Sequence, residues 1–181
     1  MESASRVTLQ QFVRPAEIGP GLRRQLIDCW IEVTNAGGAA GFPFPPVGDV
    51  EVAPVADGLI EALDPERSRL LMAVDGDVAV GWVLLRRDPS PLVAHRGDIR
   101  HLQTHPAYRG RGIGAALMRE ARRIARDDLG LEQLHLAARG GMGLEDFYGR
   151  LGWREVGRWP NALRLSPGDT RDEVLMALAP L

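Results

Sequence analysis

The stretch HPAYRGRGIGAAL, His105 to Leu117, decides how this chain is read. Three glycines and two arginines fall between Arg109 and Gly114, and an apolar helical pattern begins directly behind them. A strand that runs through such a turn into a helix leaves several backbone N–H groups without intrahelical partners. They point outward where the helix macrodipole is positive. Glycine lets backbone approach a ligand with no Cβ in the way, and Arg109 and Arg111 add full positive charge. The fitting guest is a phosphate or pyrophosphate.

Three nucleotide-binding patterns share this physics, and spacing separates them. A P-loop needs Gly-Lys-Ser/Thr, and every one of the 22 basic residues here is Arg. The dinucleotide fingerprint G-x-G-x-x-A can be laid on Gly110, Gly112 and Ala115. That fingerprint opens a domain after a first strand, whereas here a long segment with its own hairpin comes first. The third pattern, Arg-x-x-Gly-x-Gly, is met by Arg109, Gly112 and Gly114.

Working outward, Asp98 to Thr104 reads as a strand entering the loop. Gly112 to Asp128 reads as a helix whose stripe is Ile113, Leu117, Ala121 and Ile124, with Gly130 placed to cap its end. Upstream, Asp75-Gly76 between RLLMAV and VAVGWVLLRR marks a hairpin of Arg69 to Val74 with Val78 to Arg86. Val7 to Val13 is a candidate first strand. Gly21 to Thr34 and Val52 to Leu63 read as helices. Between them lies NAGGAAGFPFPPVGD, Asn35 to Asp49, too rich in Gly and Pro for regular structure and long enough to suggest function. Downstream, Leu134 to Ala138 is a strand and Gly143 to Leu151 a short helix ended by Gly152. Trp153 to Arg158 and Glu173 to Ala179 are final strands. These elements make one α/β (α+β) domain over residues 1–181, with a mostly antiparallel sheet.

The chain of 181 residues can bury a full core without a metal or disulfide. Its formal net charge of −2 gives no support to a nucleic-acid or membrane-surface partner. The single cysteine, Cys29, sits in the apolar run LIDCWI and reads as a buried small hydrophobe. No His or Cys cluster has zinc spacing, so no metal is expected. MESASRVTLQ has no apolar run of the signal-peptide kind, and the longest apolar run, VAVGWVLL, is too short to span a bilayer. A cytoplasmic location is the expectation.

The loop and its surroundings resemble the GNAT superfamily of acyl-CoA-dependent N-acyltransferases. DIRHLQTHPAYRGRGIGAALM is similar to that family's fourth strand, loop and third helix. LHLAARGGMGLEDFYGRLGWREVG is similar to its fifth strand, fourth helix and following turn. The resemblance covers about Arg69 to Arg158. It implies a mixed, mostly antiparallel sheet of six to seven strands flanked by about four helices. It implies acetyl-CoA as co-substrate, its pyrophosphate held by Arg109, Gly110, Arg111, Gly112, Ile113, Gly114 and Ala115. Its pantetheine arm would lie along Leu102, Gln103 and Thr104, where the strand splays from its neighbour. One departure is Gly141, at a position where the family often has Asn against the coenzyme arm.

Attack of an amine on a thioester needs a proton acceptor, because a lysine-like amine of pKa about 10.4 is neutral in roughly one molecule in 10³ at pH 7. It also needs an acid for the departing thiolate. The resemblance implies Tyr148 as that acid, adequate if nearby positive charge lowers its pKa. The base is open between Asp98, near the family's position for it, and His101, whose ordinary pKa suits the task better. Strict alternation would put Asp98, Arg100, Leu102 and Thr104 on one face and Ile99, His101 and Gln103 on the other, so His101 needs a bulge to join Asp98.

The resemblance places acceptor contacts between the first two helices, which makes Phe42 and Phe44 candidate substrate-binding residues. NAGGAAGFPFPP also resembles a segment of the tabtoxin-resistance subgroup, although Leu136-Ala137-Ala138 replaces that subgroup's Leu-Asp-Thr. The expected acceptor is a small-molecule amine. The alternatives are a non-catalytic acyl-CoA sensor and a protein or peptide N-acetyltransferase. Oligomeric state is open, a homodimer included.

Overall fold

The computed structural model describes residues 7–43 and 45–181. Its seven strands are β1 (Thr8–Phe12), β2 (Ser68–Asp75), β3 (Val78–Arg87), β4 (Arg96–Thr104), β5 (Gln133–Arg139), β6 (Arg154–Ser166) and β7 (Asp169–Leu178). The helices are α1 (Pro20–Asn35), α2 (Asp49–Glu61), α3 (Ile113–Asp127) and α4 (Leu144–Arg150). The strands form one sheet in the order β1-β2-β3-β4-β5-β7-β6. Every neighbouring pair is antiparallel except β4 with β5.

Helices cover both faces of the central hairpin, so β2 and β3 are buried almost throughout. That is why they read as continuous apolar runs rather than alternating ones. One core packs Leu71, Val83, Leu85, Leu134 and Leu136 under α3 and α4. The other packs Leu70, Met72, Trp82 and Leu84 under α1 and α2. These two faces become the two sides of the site. Arg23 of α1 and Asp57 of α2 form a two-point ion pair that ties the second pair of helices together.

Two expectations change. The second helix begins at Asp49, not Val52: the Glu51 carboxylate accepts from the Gly48 N–H at 2.8 Å and closes the first turn, and Pro54 is tolerated near that end. The strand expected to end at Arg158 runs on. As β6 it extends to Ser166, and the chain returns through Gly168 as β7. Pro160 and Asn161 hid this strand, because they sit in a break in the register where Asn161 has φ of 54°.

A bulge in β4 corrects the alternation. Arg100 pairs with Leu84 and Gln103 with Trp82, so His101 and Leu102 together stand opposite Val83. His101 takes a φ of 57° to do so. Asp98, Arg100, His101 and Gln103 therefore share the α1/α2 face with Leu84 and Trp82, while Leu102 packs into the α3/α4 core. The bulge brings His101 to the face of Asp98, and it moves Leu102 off that face. Gly81, across from Thr104, lets the strands meet here: a Cβ on it would lie 2.8 Å from the Gln103 carbonyl.

Candidate active site

The parallel β4–β5 ladder is short. It joins Arg96, Gly97 and Asp98 to Gln133, Leu134 and His135, then stops, and the strands diverge. The divergence opens a cleft of about 1410 Å³ that passes through the sheet. Nearly every residue singled out from the sequence borders it, among them Asp98, His101, Gln103, Thr104, Tyr148 and Phe42.

On the α3 side the cleft ends at the glycine turn. Gly110 and Gly112 have φ of 77° and 78°, in the left-handed region open to glycine. A Cβ on either would meet nothing within 4 Å, so their role is backbone conformation rather than packing. Gly112 is the N-cap of α3 and provides no side-chain cap. Among the described residues, the amides of Gly110 to Ala115 donate to no protein acceptor, and the first ladder bond runs from the Ala116 N–H to the Gly112 carbonyl. Arg111 lies over the Tyr108 ring at 4.8 Å, and the Arg109 Nε donates to the Thr104 carbonyl at 3.4 Å. This turn fits an oligophosphate: free amides, two guanidinium groups, and no side chain between them.

Gly114, one residue into the helix, faces α4. A Cβ there would meet the Phe147 ring at 3.4 Å and Thr104 Oγ1 at 3.5 Å. The close approach of α3 to α4 brings Tyr148 to the cleft wall. Its ring packs against Phe147 and Trp153. The side chain is 7% exposed, and its hydroxyl has no hydrogen-bond partner among the described residues. Burial pushes the phenol pKa up, and no neighbouring charge opposes it. The expected lowering by positive charge is therefore absent.

On the α1/α2 side, Asp98 and His135 stand opposite each other at the end of the ladder. The His101 ring packs at a tilt against both Trp30 and Trp82, with centroids 5.0 Å and 5.7 Å away, and against Gly41. Burial, helped by the Arg100 charge, pushes its pKa down to about 4, so the imidazole is neutral at pH 7. Gln103 is 2% exposed, and neither amide atom has a partner among the described residues. Its side chain thus belongs to this face, whatever its backbone contacts.

The Gly/Pro segment forms the outer wall. Trp30 Nε1 donates to the Ala40 carbonyl at 2.7 Å, and the Asn35 amide exchanges hydrogen bonds of 3.0 and 2.7 Å with Val47. Phe42 meets Trp30 edge-to-face, with ring centroids 5.3 Å apart, and also borders the cleft, so it both anchors the segment and lines the wall. Phe44 lies outside the described residues.

Two charged residues were missed from the sequence. Arg139 and Glu173 are directly opposite across β5 and β7, on the α1/α2 face. The sequence pattern ends the strand at Ala138, one residue short of Arg139, and marks Glu173 only as a strand start. No pattern in the sequence pairs them, because β7 returns from a hairpin some thirty residues away. Among the described residues, no group of three or more His, Cys, Asp or Glu side chains could hold a metal, and no helix is long and apolar enough to cross a membrane.

Residues 36–153 match the model of the acetyltransferase (GNAT) family. A mycothiol acetyltransferase of Mycolicibacterium smegmatis is 39% identical over 70 residues, which are 39% of this chain and 22% of that protein. An N-acetyltransferase from Staphylococcus aureus superposes with a TM-score of 0.76 at 11% identity, over 97% of this chain and 99% of that one. The Salmonella typhimurium acetyltransferase yncA, described with acetyl-CoA, superposes with a TM-score of 0.75 at 16% identity, over 97% and 94%.

Proposed function

The chain belongs to the GNAT acetyltransferase family, and on that premise we propose that it transfers the acetyl group of acetyl-CoA to the primary amine of a small molecule by direct attack on the thioester. One observation carries the reading. A single cleft connects the free amides of the Gly110–Ala115 turn, on one face of the sheet, to Asp98 and His101 on the other. Donor and acceptor can thus reach each other through the splay of β4 and β5. The description of the Salmonella structure with acetyl-CoA supports the donor.

The turn and the start of α3 hold the diphosphate, with Arg109 and Arg111 adding charge. The β4 backbone from Leu102 to Thr104 lies alongside the arm. When bound, acetyl-CoA supplies an acyl carbon activated by its thioester.

Asp98 or neutral His101 accepts the proton of the amine, lowering a cost of roughly 4–5 kcal/mol for an amine of pKa about 10.4. His101 is neutral at pH 7 but holds a proton weakly, whereas Asp98 sits where the ladder ends and both strands' side chains meet. Tyr148 returns a proton to the sulfur. Its raised pKa does not disqualify it, because burial raises thiols as well: Cys29 is pushed up to about 12. Phenol and leaving thiol are shifted the same way in a shared dry cleft.

The test is thiol release from acetyl-CoA over a panel of amines, read beside calorimetric CoA binding. Amine-dependent release supports the proposal. CoA binding without release from any amine would favour a sensor, and release with peptides alone would favour a peptide acetyltransferase. Asp98→Asn and His101→Asn separate the two bases: the true one removes the acidic limb of the kcat/KM pH profile.

A further inference from the structure

Arg139 ends β5 on the acceptor face of the sheet. Its neighbours Leu134, Leu136 and Ala138 point into the opposite core, which fixes its side by alternation. The residue is half-buried, and its guanidinium forms no ion pair among the described residues. Its hydrogen bond is to the Gly38 carbonyl at 3.3 Å, across the mouth of the cleft. A guanidinium carries five donors, so most of them stay free to face the cleft. Burial and the neighbouring Arg171 both act against its charge; Asp169 favours it, but that carboxylate is itself paired with Arg171. Glu173 stands directly opposite on β7 and borders the same cleft, yet the two do not pair. Arg96, Arg100 and Arg164, which form no ion pair among the described residues, add further positive charge to the lining. Gln103, across the splay on β4, presents a buried amide without a partner among the described residues. Buried polar groups are normally satisfied, so these walls are shaped for a polar guest.

We propose that the acceptor is a small amine that also carries a carboxylate, of the amino-acid class, and that Arg139 binds that carboxylate as a specificity-determining residue. This inference rests on the reading of the protein as an amine acetyltransferase. A planar guanidinium meets a carboxylate through two parallel hydrogen bonds. Glu173 and Asp98, on the same face, suit the amine end. An unpaired cation and an unpaired carboxylate on one wall match a zwitterion better than they match a polycationic amine.

The experiment compares amino acids with their own carboxamides as paired acceptors in the thiol-release assay, for the wild type, Arg139→Gln and Arg139→Lys. The expected result is a preference for the carboxylate member of about 10- to 100-fold in kcat/KM, in line with a hydrogen-bonded charge pair. Arg139→Gln abolishes that preference and leaves the carboxamides nearly unchanged, and Arg139→Lys keeps part of it. Equal use of acid and carboxamide by the wild type overturns the inference. So does a loss in Arg139→Gln that falls equally on both members, since that marks only the tie to Gly38. If no amine releases thiol, the acetyltransfer reading fails separately. Calorimetry of CoA-loaded protein with the same pairs then decides the subsite: carboxylate-dependent binding lost in Arg139→Gln upholds it, and equal or absent binding overturns it.

Discussion

The imidazole of His101 stands 5.0 Å from the indole of Trp30, ring centre to ring centre, inside a wall that also includes Trp82 and Gly41. Burial there lowers its pKa from the usual 6.5 to about 4. The unfolded chain therefore takes up a proton below pH 6.5 that the folded chain refuses. Stability is unaffected above that value and falls as pH drops toward 4. Between pH 7 and pH 5 this group alone removes about 2 kcal/mol. Urea midpoints at the two pH values should show that loss in the wild type. His101→Asn, which tolerates the positive φ, should lose clearly less.

Tyr148→Phe deletes a hydroxyl that has no partner among the described residues and keeps the ring packing against Phe147 and Trp153. Thermal stability should be unchanged and CoA affinity preserved, while kcat falls by roughly 10²-fold, the scale of a lost general acid. Normal turnover with weakened CoA binding would remove Tyr148 from the chemistry.

Gly112→Ala forces an alanine to hold φ of 78°, at a cost of about 1–2 kcal/mol. The strain relaxes by turning the amides at the start of α3. CoA affinity should fall by tenfold or more in calorimetry, with the acceptor KM much less affected. An unaltered CoA affinity would show that these amides do not hold the diphosphate.

Trp30→Phe removes the indole donor to Ala40 and frees one anchor of the Gly/Pro wall. The lost hydrogen bond is worth about 1 kcal/mol of stability. The wall loosens on the acceptor side only, so the acceptor KM should rise while CoA binding stays as in the wild type. Parallel losses in both would mean that the wall serves the whole cleft.

Much of this architecture was legible beforehand because it is local. The Asp75-Gly76 turn between two apolar runs specified the β2–β3 hairpin, and the spacing of Ile113, Leu117, Ala121 and Ile124 specified α3. The turn chemistry from Arg109 to Gly114 was readable for the same reason: positive φ, free amides and a following helix are properties of neighbouring residues. The β6–β7 hairpin is longer than its sequence pattern suggests because Pro160 and Asn161 look like the end of a strand, whereas pairing with β7 resumes at Leu163 after a shift in register.

The sequence by itself offered a glycine-rich turn with amides suited to an anion, and its family resemblance implied Tyr148 and left the base open between Asp98 and His101. Tertiary structure alone decided which side of the sheet those groups occupy. One bulge in β4 put His101 on the face that Asp98 occupies and turned Leu102 away. The end of the β4–β5 ladder after Asp98 opened the passage between the two faces, and strand order set Arg139 against Glu173. A side chain's face depends on the register of strands that are distant in the chain. A one-residue slip reverses it, and no local pattern of residues encodes that slip.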